Sequence, residues 1–208
     1  RAKVVDSAGV PVPDLKPIDG KKLHLYVVLR DLAWFAHLTP EEQSAGTFEF
    51  KAAMPPGEFA VFAVFAPAQG SEQVVAAGLS VLGKPANPRA LGADADRPRM
   101  VDGRTVTLDG FQSAAAGVET SLTFRIAGDA DANEADQTYL GKPADVVVIG
   151  QDLKHLFRPV LVPSSTRGAN LVYSATFPDA GLYRVWIQFQ RAGKVSTAAF
   201  NVQIAPKP

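Results

Sequence analysis

The sequence predicts an all-β protein built as two tandem antiparallel β-sandwiches, and three observations carry that prediction. Short β-branched or aromatic runs recur between Gly- and Pro-rich breaks, at about the eight-to-twelve-residue spacing of sandwich strands. Helical patterning is confined to single turns at Asp31–Ala36 and Pro40–Gln43. The chain also repeats itself in order along its length.

The elements follow from period-2 patterning. Leu23–Leu29, Thr47–Ala53, Phe59–Ala66 and Val74–Val81 read as strands of a first copy. Val146–Ile149, Asn170–Thr176, Leu182–Gln190 and Val195–Ile204 match them in a second. Gly20–Leu32 recurs as Gly141–Leu153 at a shift of 121, and Gly57–Phe65 recurs as Gly181–Phe189 at a shift of 124. Val74–Val81 then returns as Val195–Val202, at 121 again. Within Tyr183–Phe189, alternation assigns Tyr183, Val185, Ile187 and Phe189 to the core. Arg184, Trp186 and Gln188 take the outer face, where Trp186 offers a surface aromatic for carbohydrate binding.

Two further strands, Thr105–Leu108 and Ser121–Ile126, precede the Gly141 landmark of the second copy. The counterpart of the first would lie before Arg1, so the first sandwich is expected to lack a strand that is upstream, disordered or supplied by a partner. The domain boundaries expected are 1–83 and 105–208, with 84–104 as linker. A start at Arg1 rather than methionine points to a removed upstream signal or anchor.

Composition narrows the function. Twenty-one basic residues balance 21 acidic ones, so no global field draws nucleic acid, and none is expected as a partner. Cysteine is absent, which removes thiol catalysis, disulfides and cysteine-based metal sites. No apolar run reaches the roughly 20 residues a membrane-spanning helix needs. The sequence carries no Gly-x-Ser-x-Gly, phosphate-binding loop or His-Glu-x-x-His motif, and an enzyme is not expected. Asp94/Asp96/Asp102 and Asp129/Asp131/Glu134/Asp136 form acidic clusters; the second suggests calcium but lacks the glycine and closing glutamate of a calcium loop and reads as a solvated hairpin.

Metal chemistry would rest on His24, His37 and His155, on carboxylates, or on Met54 and Met100. His24 falls in a predicted strand, His37 in the loop after it, and His155 in a solvated loop. The order His24-Leu25-Tyr26-Val27-Val28, Asp31-Leu32, His37-Leu38-Thr39-Pro40 and then Pro178 to Tyr183 resembles bacterial envelope domains of the copper-resistance and YtkA-like kind. That resemblance implies an immunoglobulin-like fold, a periplasmic or extracellular location, and copper or zinc held by His24 and His37. Thr39 stands where the family pattern places a second loop histidine. The second copy has Asp145, Arg158 and Val160 at the three places. With its ligands replaced, the chain reads as a non-catalytic interaction or structural module without a cofactor, an accessory subunit of an envelope or membrane complex. The alternative is a periplasmic copper- or zinc-binding protein. Trp34, Phe35, Leu156 and Phe157 are the apolar loop residues expected either to cap the sandwiches or to anchor a protein partner.

Overall fold

The computed structural model describes residues 1–128, 137–163 and 170–207. The acidic cluster from Asp129 to Asp136 lies outside them. The chain divides into two compact units, Arg1–Ala90 and Leu91–Pro208.

The second unit holds β9 (Arg99–Val101), β10 (Arg104–Asp109), β11 (Glu119–Ala127), β12 (Asp145–Gly150) and β13 (Leu156–Phe157). They are followed by β14 (Val160–Leu161), β15 (Asn170–Thr176), β16 (Gly181–Arg191) and β17 (Lys194–Ile204). One sheet runs β14-β15-β11-β10-β9 and the other β13-β12-β16-β17. Taking β10, β11, β14 and β15 as A, B, D and E, and β12, β16 and β17 as C, F and G, this is the strand order of an immunoglobulin-like sandwich. Between the sheets, Val106, Leu122, Phe124, Tyr173, Val185, Phe189 and Phe200 form one buried cluster. The inner face of β16 is the one that alternation assigns.

The first unit repeats this plan with less of it. Its strands are β1 (Ala2–Lys3), β2 (Leu15–Lys16), β3 (His24–Leu29), β4 (Phe35–Leu38), β5 (Glu41–Ser44), β6 (Thr47–Glu49), β7 (Gly57–Pro67) and β8 (Gln73–Val81). One sheet is β1-β6-β5, and in the other β7 pairs β2, β3 and β8 while β4 flanks β3. Thus β3, β4, β7 and β8 answer to β12, β13, β16 and β17, and β1 sits beside β6 as β11 sits beside β15. Among the described residues nothing answers to β9 and β10.

The duplication reaches into the backbone. Leu32 and Leu153 both adopt left-handed conformations, with φ of 58° and 60°, in turns where each N–H donates to a carbonyl three residues back. Gly20 and Gly141 sit at φ of 77° and 74°, inside the matched pairs of backbone bonds Ile18–Lys21 and Tyr139–Lys142. The repeated turns demand positive φ, which explains why glycine recurs at both.

Four expectations change. Phe35–Leu38 and Glu41–Ser44 are strands, not helical turns, because β4 finds backbone partners along β3. His37 therefore lies in a strand rather than a loop. Much of the stretch read as a linker belongs to the second unit: Ala95 is buried in its core, and β9 adds to its sheet. Trp186 is only 2% exposed, facing Val147 across the strand pair with the Arg184 guanidinium 5.6 Å from its ring centre. It is not a surface aromatic, which removes the carbohydrate reading.

Candidate functional site

The site that the histidines define is set by β3 and β4. Antiparallel register places Tyr26 directly opposite His37, and His24, two residues before Tyr26, shares its face. The rings form a short ladder: His37 stacks on Tyr26 at 4.3 Å between centroids, and His24 lies 5.2 Å from His37. His24 is fully buried.

Its two nitrogens are both engaged. Nε2 lies 2.8 Å from the Ile18 carbonyl, and since a carbonyl only accepts, the proton is on His24 Nε2. Nδ1 lies 2.9 Å from His37 Nε2, so in the neutral pair His37 donates and His24 accepts. The Ile18 carbonyl is itself held by the Ile18–Lys21 turn. The two imidazoles thus satisfy each other through the nitrogen atoms a metal would use.

The same two positions in the second unit carry a different pair. Asp145 accepts from Arg158 Nη2 at 3.0 Å, with Lys142 Nζ 3.6 Å away. Their side chains are 3% and 10% exposed. Burial and then the Asp145 charge push the Tyr139 hydroxyl up to about 12. A hydrogen-bonded histidine pair in one copy is an ion pair in the other, 121 residues on. The third position holds half-buried Thr39 in one unit and exposed Val160 in the other. Among the described residues no three His, Cys, Asp or Glu side chains gather where a metal ion could sit.

The remaining candidates take structural places. His155 Nε2 meets Asp179 Oδ2 at 2.8 Å, so it is hydrogen-bonded rather than merely solvated. Asp94 accepts from the Asn201 backbone at 2.8 Å and Asp102 from Ser196 Oγ at 2.7 Å, so these carboxylates close the edge of β17. Half-buried Trp34 packs edge-on to Phe59, and Phe35 stacks on Tyr26. Leu156 is buried, and Phe157 packs edge-on to Phe177. Trp34, Phe35 and Phe157 thus pack on aromatic rings of their own units.

The large exposed apolar side chains lie elsewhere. On β8, Val74, Val75 and Leu79 are 43%, 51% and 42% exposed. Sequence patterning marked β8 as a strand but not as a surface. The signal available was composition, since Gln73–Val81 carries no charge and no proline.

Residues 99–206 match a family model described as a domain of unknown function, DUF8832. No curated protein matches the chain. Among solved structures it is similar to the N-terminal four Ig domains of Dscam1. Isoform 6.9 is 13% identical over 89% of this chain and 37% of that one, with a TM-score of 0.25. Isoform 9.44 is 12% identical over 95% and 39%, with a TM-score of 0.24. The chain thus spans little more than a third of the length of the structures it matches.

Proposed function

The chain belongs to the DUF8832 domain family, and we propose that it is an extracytoplasmic interaction module, an accessory subunit of a cell-envelope or membrane complex. The chain is a non-catalytic, all-β structural or interaction module built on immunoglobulin-like sandwiches. The observation that carries the finer reading is the exchange at one site. Where one unit holds His24 hydrogen-bonded to His37, the other holds Asp145 paired to Arg158. Residues of such different chemistry serve the same place when the place needs a hydrogen-bonded pair tying the strand to the segment beside it. What is left to do the molecule's work is its surface.

The test is a native mass spectrum of the protein released gently from its own membranes. The expected mass is that of the 22.1 kDa chain plus at least one further polypeptide. A free chain would sink the subunit reading.

A second reading, a periplasmic copper- or zinc-binding protein, is favoured by the 2.9 Å approach of two imidazole nitrogens. Titration of the full chain with copper(II) or zinc separates the two. A stoichiometric metal lost in the His24→Ala/His37→Ala double variant supports the metal reading. No saturable binding in either protein supports the interaction module, since tight sites take three or four ligands.

A further inference from the structure

The turns that end β3 and β12 are near copies of each other. The Leu29 and Gly150 N–H groups donate to the Trp34 and His155 carbonyls, and those of Arg30 and Gln151 to the Glu58 and Leu182 carbonyls. Asp31 and Asp152 each accept at 3.0 Å from the amide two residues on. The two copies hang different side chains on this frame. In the first unit the space over Gly57 is filled from within: a Cβ at Gly57 would meet Leu29 Cδ2 at 2.8 Å, and Trp34 packs edge-on to Phe59. In the second, Gly150 and His155 stand in place of Leu29 and Trp34. A Cβ at Gly181, the counterpart of Gly57, would meet nothing within 4 Å. A cavity of about 290 Å³ stands there, lined by residues 150–152 and 179–183.

The backbone does not call for glycine at 150, because Gly150 lies outside the left-handed region. What its missing side chain leaves is room beside two groups: a Cβ there would meet Asp152 Oδ1 at 2.9 Å and Tyr183 Cε1 at 3.4 Å. The position that is Pro55 in the first unit is Asp179 in the second, so two carboxylates, of Asp152 and Asp179, line one cavity. Both keep room for a further donor. His155 Nε2 meets one of the two Asp179 oxygens, Oδ2, and Lys154 Nζ stands 3.6 Å from Asp152 Oδ2, beyond hydrogen-bond length. The field of the pair reaches the buried ring beneath. Burial first raises the Tyr183 hydroxyl pKa, and the Asp179 and Asp152 charges add to that rise against an opposing bond to the Asp179 backbone.

We propose that this slot of the second unit receives an arginine side chain from a partner protein. Its methylene stem lies over Gly150 and Gly181, in the room that Leu29 takes up in the first unit, and its guanidinium meets Asp152 and Asp179. The first unit supplies the template for the stem, since an aliphatic side chain already fits this frame. Charge complementarity selects the head: an aliphatic residue would leave both carboxylates without a counter-charge, and an acidic one would be repelled. A planar guanidinium with five N–H donors can serve two carboxylates at once, where a lysine ammonium is a point charge. The cavity is of side-chain size, below the roughly 300–1,000 Å³ of small-molecule sites. The inference rests on the reading of the chain as an interaction module and names the partner chemistry of one site.

The test titrates the isotope-labelled full chain with N-acetyl-arginine amide and follows the backbone amide resonances. The expected result is a saturable shift confined to residues 150–152 and 179–183. Affinity should fall at least tenfold in Gly150→Leu, which restores the residue of the first unit, and in Asp152→Asn/Asp179→Asn. Leu29 occupies the same hydrogen-bonded turn, so Gly150→Leu keeps its fold, which circular dichroism checks; the asparagine variant leaves every side-chain volume nearly unchanged. The absence of a saturable shift overturns the proposal, as does equal affinity in the folded variants. N-acetyl-leucine amide binding as tightly would make the slot merely apolar and overturn it too. Agmatine binding tenfold more tightly than the blocked arginine would make the occupant a free small amine. A dimer of about 44 kDa, twice the 22.1 kDa chain, that Gly150→Leu abolishes would make it a second copy, and either result overturns the partner-protein occupant. Slot and subunit reading fail separately. A native complex from a chain that ignores arginine removes only the slot, and arginine binding by a chain released free from its membranes removes only the subunit reading.

Discussion

At the scale of single residues, the instructive comparison is between two buried pairs at one address. His24 and His37 are hydrogen-bonded to each other, while Asp145 and Arg158 are charges whose desolvation is offset in part by each other and by Lys142. Breaking a buried pair by removing one partner costs about 3–5 kcal/mol, because a charge is left without compensation. Transplanting the pair should therefore work where transplanting half of it does not. We expect His24→Asp alone to destabilise the first unit by about 3 kcal/mol in urea unfolding. The double variant His24→Asp/His37→Arg should recover most of that loss. A double variant no more stable than the single one would mean that the two positions are not interchangeable.

At the scale of elements, the β5–β6 hairpin depends on a carboxylate. Glu42 pairs with Lys22 and accepts from the Gly46 N–H at 2.8 Å. Gly46 lies at φ of 66°, and a Cβ there would meet the Val4 and Val12 carbonyls at 2.9 Å. The tight turn therefore excludes other residues, and its amide needs an acceptor. The Lys22 hydrogen bond first, then the Gly46 amide, lower the Glu42 pKa below its ordinary 4.5. The unfolded chain thus binds this proton more readily than the folded one. The stabilisation is complete above the unfolded value and is lost as pH falls through the folded one. Stability of the full chain measured from pH 6 down to pH 3 should fall less steeply in Glu42→Gln than in the native protein. Equal slopes would remove Glu42 from the account.

At the scale of the whole molecule, two copies of one plan differ in completeness. The second unit has strands on both sides of β11 and a core closed over β17. The first has a core cluster around Leu23, Leu25, Phe48 and Phe65 and an exposed strand, β8. Burial of apolar area is the main favourable term in folding, at about 25 cal/mol per Å², so the units should not be equally stable. Residues 91–208 expressed alone are expected to unfold cooperatively on heating. Residues 1–90 alone are expected to melt at lower temperature and to bind a hydrophobic dye. Equal melting temperatures for the two fragments would contradict the view that the exposed strand weakens the first unit.

What the sequence by itself determined was local and periodic. Alternation assigned Asn170–Thr176 as a strand with the bounds it has and chose the inner face of β16. The shifts of 121 and 124 aligned the copies closely enough to match His24 with Asp145 and His37 with Arg158, because strand period and turn glycines are written along the chain. What only the tertiary structure decided depends on neighbours across a sheet. His37 belongs to a strand because β3 offers it a partner. Trp186 is hidden although it lies on the face alternation turns outward. Residues 94–101 belong to the second unit because Asn201 and the core receive them. The bare face of β8 appears only when its covered twin, β17, stands beside it for comparison. Hydrogen bonds between strands and the burial of a face are properties of pairs of segments, and no single run of residues contains them.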